Sequence, residues 1–214
     1  MSVKTYPSQV DYNGVMWYTI DVKRKGKVIN MKKTLVIHPS DKSTDFLKLI
    51  YKGKDWDVLT DFRKFTTIQK KQELINLMKE YDRIIMMGHG VPMGLLNIYN
   101  GSCLGLIIDN QFTEVLREKE TISIWCNSDR FFRPRNIKGF HTGMIISEVS
   151  EARWVLGETP LNTEETLDNM EKFATIVGEC IEDTPLEMQK HILEKYNYED
   201  KVTQYNRTNI IVLE

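Results

Sequence analysis

A histidine and a cysteine each follow a short apolar segment of the sequence, and side chains of these two types can perform acyl transfer. His89 lies between two glycines directly after the apolar residues 84–87, and Cys126 comes directly after the largely apolar segment 122–125. Histidine titrates near neutral pH and can take the proton of a thiol, which becomes a strong nucleophile once it is deprotonated. The pair therefore predicts nucleophilic catalysis at a carbonyl carbon, provided that the fold brings the two side chains together.

The same two motifs also contain backbone groups that could stabilise a tetrahedral oxyanion. Such an oxyanion needs N–H donors that are held in place. Gly90 directly follows the histidine, and its N–H could come close to a substrate because glycine has no side chain in the way. The N–H of Cys126 would be the second donor. Base, nucleophile and oxyanion hole are thus predicted within two short segments.

The elements that must position these residues alternate along the chain from about residue 34 to residue 129. Segments typical of strands cover residues 34–37, 56–60, 83–87 and 121–125. Helical segments lie between them, with candidate N-caps at Asp41 or Ser43, Thr66 or Thr67, and Asp109. This order predicts an α/β fold with a mostly parallel sheet sandwiched by helices. Because the reactive groups of such sheets lie beyond the carboxyl ends of the strands, His89 and Cys126 are expected at one edge if their strands are neighbours.

The segments on either side of this core have their own patterns. Residues 15–31 predict an N-terminal β-hairpin with its turn at residues 23–26, and residues 93–108 predict a second hairpin. The C-terminal third is more helical, with helices over residues 163–182 and from residue 184 to about 196, and a final strand at residues 209–213. We expect one domain over residues 1–214, made of a hairpin extension (1–33), the sheet core (34–129), and a loop with the C-terminal helices (130–214).

Composition and charge limit the classes of partner. The 214 residues are 41% hydrophobic and 28% charged, as in a globular protein, and the net charge is −1. A near-neutral chain disfavours a partner held by bulk attraction to phosphate, so no nucleic acid is expected. No apolar run approaches the roughly 20 residues of a membrane span, and the N-terminus has no signal-like segment, so no membrane partner is expected. Three widely spaced cysteines without a CxxC pair indicate a reducing cytoplasm and neither a disulfide framework nor a zinc site, and we expect no metal and no cofactor.

The two strand-end motifs resemble those of the caspase-like cysteine peptidases, a group that includes caspases, metacaspases, legumain, gingipain, clostripain, separase and CHAT domains. The Gly88-His89-Gly90 segment after one apolar strand and Cys126 after the next carry the resemblance, which covers roughly the middle half of the chain. It implies a caspase-hemoglobinase-like fold, a peptide or protein substrate, His89 as base and acid, Cys126 as nucleophile and Gly90 as oxyanion donor. A third, orienting carboxylate is not general in this family. One position departs from the pattern, since Trp125 stands where a small residue is common.

Residues near the two motifs are candidates for contacts with the substrate. Trp125 could narrow the cleft or fill a pocket, and Asp129 or Asp109 could receive a basic substrate side chain. His141 lies in a glycine-punctuated segment, residues 139–143, which we interpret as a loop that could contact a ligand. An acidic substrate side chain could instead be bound by one of three arginines, Arg130, Arg133 and Arg135.

Two functions of other classes remain compatible with the sequence. The bulk of Trp125 favours a module of the same fold that senses a ligand or binds a partner without proteolysis. The glycines from Gly88 to Gly94 allow a Rossmann-like nucleotide-binding enzyme, although their spacing is GxGxxxG and Pro92 replaces the start of the helix that should hold a pyrophosphate. The sequence favours no particular oligomeric state.

Overall fold

The computed structural model describes residues 3–10, 16–24, 27–29, 32–65 and 67–214, with side chains from Lys32 onward. The chain divides into two compact units, Met1–Lys32 and Lys33–Glu214. The first contains an antiparallel sheet in the order β1-β2-β3, formed by β1 (Val3–Val10), β2 (Met16–Arg24) and β3 (Lys27–Ile29). The expected pairing of β2 with β3 is confirmed, whereas β1 was not expected, and turn residues 25 and 26 lie outside the described residues. The single-domain assignment stays a prediction.

A mostly parallel sheet of six strands forms the centre of the second unit. The described residues of this unit form two sheets from nine strands: β4 (Thr34–Ile37), β5 (Asp57–Leu59), β6 (Arg83–Met87), β7 (Gly90–Val91), β8 (Gly94–Tyr99), β9 (Ser102–Ile108), β10 (Glu120–Ile124), β11 (Gly139–Thr142) and β12 (Ile210–Leu213). The six-stranded sheet has the order β12-β11-β10-β6-β4-β5, in which only β12 runs antiparallel to its neighbour. β7, β8 and β9 form a small antiparallel sheet that contains the hairpin expected at residues 93–108.

The helices begin largely at the polar residues that the sequence indicates. They are α1 (Lys48–Tyr51), α2 (Ile68–Met78), α3 (Thr113–Arg117), α4 (Ser128–Phe132), α5 (Val149–Leu156), α6 (Thr163–Cys180), α7 (Pro185–Lys195) and α8 (Lys201–Thr208). Thr67 caps α2, and Asp109 and Asp41 each cap a 3₁₀ helix that leads into α3 or α1. Thr66, the alternative cap, lies outside the described residues. None of the helices in the described part of the chain is both long and apolar enough to cross a membrane.

Helices cover both faces of the central sheet, and each face has its own apolar core. Because successive residues of a strand point to opposite faces, Ile84 and Ile85 of β6 belong to different cores. Ile85 shares a core with Phe173 of α6, whereas Ile84 shares the other with Leu74 of α2 and Phe131 of α4. A strand buried on both faces is continuously apolar, which explains the sequence of β6. The expected helix-covered, mostly parallel α/β sheet is therefore confirmed.

Strand β11 replaces the loop that we expected at residues 139–143. It pairs in parallel with β10, so that Gly139 lies opposite Thr121. Gly139 has a φ of +144°, and a Cβ there would lie 2.2 Å from the carbonyl oxygen of Thr121, so this position requires glycine. Glycine is uncommon inside strands, and here it allows the close approach of β10 and β11. His141 consequently lies inside the sheet, which corrects its expected place in a loop.

Candidate active site

The register of two neighbouring strands places His89 and Cys126 at the same edge of the sheet. β6 and β10 pair in parallel, with Met87 opposite Ile124. The N–H of Gly88 donates to the carbonyl of Ile124 at 3.1 Å and extends the pairing by one residue. His89 lies two residues after Met87, and Cys126 lies two residues after Ile124. The carboxyl ends of parallel strands meet at one edge of a sheet. The condition that their strands are neighbours is therefore met.

His89 and Cys126 line one small pocket of about 30 Å³. Both are half-buried, and the rest of the lining is largely apolar. The other lining residues are Thr44, Phe46, Leu47, Gly88, Ile124, Trp125, Ile145, Ser147, Met170 and Phe173. A space of this volume admits only about two water molecules. A peptide would therefore have to approach from outside the pocket or widen it.

The thiol of Cys126 is protonated at neutral pH in this environment. Its Sγ donates a hydrogen bond to the carbonyl of Ile145 at 3.6 Å. Burial raises the pKa of the thiol to about 11, and the negative charge of Glu151 raises it further in the same direction. A nucleophile of this kind needs a base that removes its proton during the reaction.

A hydrogen-bonded turn fixes the backbone of Cys126 against strand β11. The N–H of Ser128 donates to the carbonyl of Trp125 at 3.2 Å and closes the turn around Cys126. Asn127 occupies the left-handed region, with a φ of +64°, which asparagine tolerates better than most residues. The buried hydroxyl of Ser128 donates to the carbonyl of Thr142 at 2.8 Å and accepts from the Thr142 N–H at 2.9 Å. The position of the sulfur thus depends on the neighbouring strand.

His89 is held by two residues that follow the adjacent strand β4. Its Nε2 lies 2.7 Å from Oγ of Ser43, and Ser43 donates this hydroxyl to Oδ1 of Asp41 at 2.5 Å. Burial tends to raise the pKa of the Asp41 carboxyl, but hydrogen bonds from Ser43 and the charge of His89 outweigh it, so the pKa lies below its usual value. In the sequence, Asp41 and Ser43 carry only the signal of a helix cap. The pairing of β4 with β6 is the signal that could have placed them beside the histidine.

Gly90, the expected oxyanion donor, lies in β7 opposite Leu95. The N–H of Leu96 donates to the carbonyl of His89 at 2.9 Å, so Gly90 and Leu95 form a non-hydrogen-bonded pair and the Gly90 N–H faces away from β8. A Cβ at Gly90 would lie 2.0 Å from Cδ1 of Trp125. The indole therefore lies against this backbone, and Gly88 rather than Gly90 lines the pocket. The oxyanion role of Gly90 stays a prediction.

Trp125 belongs to the core more than to an open cleft. Its side chain is 2% exposed and packs against Phe131 and Phe132 of α4, with ring centroids 6.1 and 5.4 Å away. The indole Nε1 is buried without a hydrogen-bond partner among the described residues. Trp125 contributes a wall to the pocket of His89 and Cys126. Trp125, which departs from the caspase-like pattern, is thus accommodated because its side chain is buried against α4.

The other expected substrate contacts do not meet at this pocket. His141 has no exposed surface, because its ring stacks on Phe132 at 4.2 Å and its Nδ1 lies 2.6 Å from Oγ of Ser123. Burial lowers the pKa of His141 to about 3, so this histidine is a neutral core residue with no surface to offer a substrate. Asp129 is half-buried in the first turn of α4 and does not line the pocket. Asp109 forms an ion pair with Lys71.

No known protein-family model matches the chain, and no curated protein matches it in sequence. Within the described ranges, no group of three or more His, Cys, Asp or Glu side chains is arranged to hold a metal ion. The Gly88-His89-Gly90 segment leads into the hairpin of β7 and β8, rather than into a helix whose N-terminus could bind a pyrophosphate.

Proposed function

We propose that this protein is a cysteine endopeptidase of caspase-like fold in which Cys126 is the nucleophile and His89 the general base and acid. One observation carries the proposal: the two residues follow the register-paired ends of neighbouring parallel strands and line one pocket. The order of the motifs, histidine first and cysteine on the next strand of the sheet, is the order of the family that the sequence resembles. The substrate is a peptide or protein.

In the acylation step, the imidazole of His89 removes the proton from the thiol of Cys126 as the sulfur attacks the carbonyl carbon of the substrate. A C–S bond forms, and the π electrons of the carbonyl move onto its oxygen. The N–H groups of Gly90 and Cys126 would donate to this oxyanion. When the intermediate collapses, the C–N bond breaks and the amine leaves with the proton that His89 received.

In the deacylation step, water takes the place of the amine. His89 removes a proton from the water as its oxygen attacks the thioester carbon. The C–S bond then breaks, the carboxylic acid leaves, and the proton on His89 returns to the sulfur. The thiol of Cys126 is thus neutral again at the end of the cycle, in agreement with its raised pKa. Proton removal is coupled to attack, and no stable thiolate is required.

The proposal is tested with the full chain and a broad library of fluorogenic peptides. Wild-type protein is expected to cleave some of them, and Cys126→Ala and His89→Gln to lose turnover by about 100-fold or more. Cys103→Ala is the matched control, because Cys103 is an exposed cysteine on β9, outside this pocket. Turnover that survives in Cys126→Ala would show that the nucleophile is wrongly assigned.

A second candidate is a ligand-sensing or interaction module that uses the same fold without proteolysis. The pocket of about 30 Å³ and the raised pKa of the thiol favour it, because both oppose nucleophilic attack in the conformation described. Binding of a peptide without cleavage, unaffected by Cys126→Ala, would support this module. The nucleotide-binding alternative has less support, because a hairpin follows the glycines of residues 88–90.

A further inference from the structure

We propose that Ser43 and Asp41 position His89 by fixing its proton on Nε2, so that Nδ1 is the nitrogen that receives the proton of Cys126. The proposal rests on the proposed function, because it assigns the working atom of the same base. It adds two positioning residues from the end of a third strand, β4. Neither residue lines the pocket that contains the thiol, and both act through the imidazole.

The direction of the two hydrogen bonds follows from the single proton of the serine hydroxyl. Ser43 donates that proton to Oδ1 of Asp41 at 2.5 Å. Its Oγ can then only accept in the contact of 2.7 Å with His89, so Nε2 must carry the hydrogen. A neutral imidazole carries one N–H, which leaves the lone pair on Nδ1. The two hydrogen bonds of Ser43 therefore select the Nε2–H tautomer of His89.

Asp41 stabilises the charged form of the base without a direct hydrogen bond. Its Oδ1 lies 3.6 Å from Nε2 of His89, beyond hydrogen-bond distance but close enough for a favourable charge interaction. When Nδ1 accepts the thiol proton, the imidazolium keeps Nε2–H on Ser43, and the carboxylate offsets the new charge. Only 14% of the Asp41 side chain is exposed, which limits screening by water.

The same three residue types could suggest that Ser43 is itself a nucleophile. In a serine-type triad, however, the hydroxyl donates to the imidazole and the carboxylate holds the other ring nitrogen. Here the carboxylate accepts from the serine hydroxyl instead. The hydroxyl proton therefore points away from His89. Ser43 links the carboxylate to the imidazole and is not a nucleophile.

The tautomer of His89 can be read by ¹⁵N nuclear magnetic resonance of histidine-labelled full chain at a pH where imidazole is neutral. We expect Nε2–H in the wild type, with the His89 signals assigned from their loss in His89→Gln. In Ser43→Ala the fixed tautomer is expected to give way to a mixture. A predominant Nδ1–H form in the wild type would overturn the proposal, as would labelling of Ser43 by a fluorophosphonate.

Alkylation of Cys126 by iodoacetamide, measured in a Cys103→Ala background, gives a second readout. We expect Ser43→Ala to slow this alkylation by roughly 10- to 100-fold, since the imidazole of His89 is then no longer oriented towards the thiol. Ser43→Thr, which keeps a hydroxyl, should restore most of the rate. Ser43→Ala retains the backbone N–H that Asp41 caps at 2.9 Å, so the 3₁₀ helix is preserved, and the unfolding midpoint verifies this.

A charge control separates the carboxylate from its neighbours. Asp41→Asn should slow the alkylation of Cys126. Asp45→Asn should not slow it, because Asp45 is an exposed residue of the same 3₁₀ helix and forms its ion pair with Lys48. Equal rates in wild type, Ser43→Ala and Asp41→Asn would contradict the proposal. If the tautomer and rates are as expected but no peptide is cleaved, the positioning of His89 stands and the peptidase function fails.

Discussion

The indole of Trp125 lies directly against the backbone of Gly90, where an added Cβ would be 2.0 Å from Cδ1, 2.4 Å from Cγ and 2.7 Å from Nε1. This contact joins the residue before the candidate nucleophile to the residue after the candidate base. The bulky side chain at one position requires the absence of a side chain at the other. The two motifs are therefore matched in size to each other, which gives a physical reason for the tryptophan.

Replacing Gly90 with alanine should destabilise the protein by about 1–3 kcal/mol, because the new methyl group overlaps the pyrrole ring of Trp125 and the buried indole has little room to move. Denaturant unfolding followed by circular dichroism measures the loss. The Trp125→Ala background is the control, since Gly90→Ala should cost much less there. An equal cost in both backgrounds would contradict the steric explanation.

Loss of the Ser128 hydroxyl should loosen the turn that carries Cys126. In Ser128→Ala the buried N–H of Thr142 loses its acceptor, which should cost ~1–3 kcal/mol of unfolding free energy. We also expect slower cleavage of peptides, because the sulfur is no longer fixed relative to His89. Ser150→Ala, on the exposed side of α5, is the control. Identical unfolding midpoints for the two variants would rule out the structural role of the hydroxyl.

Glu151 should slow the reaction of Cys126 with alkylating reagents, because its negative charge is the second cause of the raised thiol pKa. We expect Glu151→Gln to lower this pKa and to raise the alkylation rate at fixed pH, by about 10-fold for each pKa unit. The pH dependence of iodoacetamide alkylation, mapped by mass spectrometry, measures both. Wild-type Cys126 should react more slowly at neutral pH than the exposed Cys103.

The matched control is Glu148→Gln, because Glu148 and Glu151 form the two halves of the capping box of α5. Both variants should lose about 1 kcal/mol of stability through the weakened cap. Only Glu151→Gln should change the thiol titration. A thiol pKa that is equal in wild type and Glu151→Gln would show that burial alone protects the sulfur.

The central sheet could be predicted from the sequence because its strands are buried on both faces. Residues 84–87 are continuously apolar, residues 121–124 alternate a small hydroxyl side chain with isoleucine, and the helical segments along the chain begin with good N-caps such as Thr67 and Asp109. β11 could not be predicted in this way. Its four residues include a histidine and begin with a glycine, which only the close approach of Thr121 explains. They form a strand because they pair with β10 and β12.

The site was predictable only where the chemistry lies directly at the end of an apolar strand. This is the case for His89 and Cys126, and their shared pocket depends on two strands that the pattern indicates. Asp41 and Ser43 carry ordinary helix-start signals, and the hydrogen bond of Ser43 with a histidine 46 residues away depends on β4 lying beside β6. Contacts of this kind come from sheet order, which local sequence does not encode.

Protonation of His141 should destabilise the fold as the pH falls. Burial lowers the pKa of this ring from 6.5 to about 3, so between these values the unfolded chain binds a proton that the folded chain excludes. The stability is complete above about pH 6.5 and falls with decreasing pH, by up to ~1.4 kcal/mol per pH unit for this group. His141→Asn should flatten the measured slope of unfolding free energy against pH. An equally steep slope in His141→Asn would show that other groups cause the acid sensitivity.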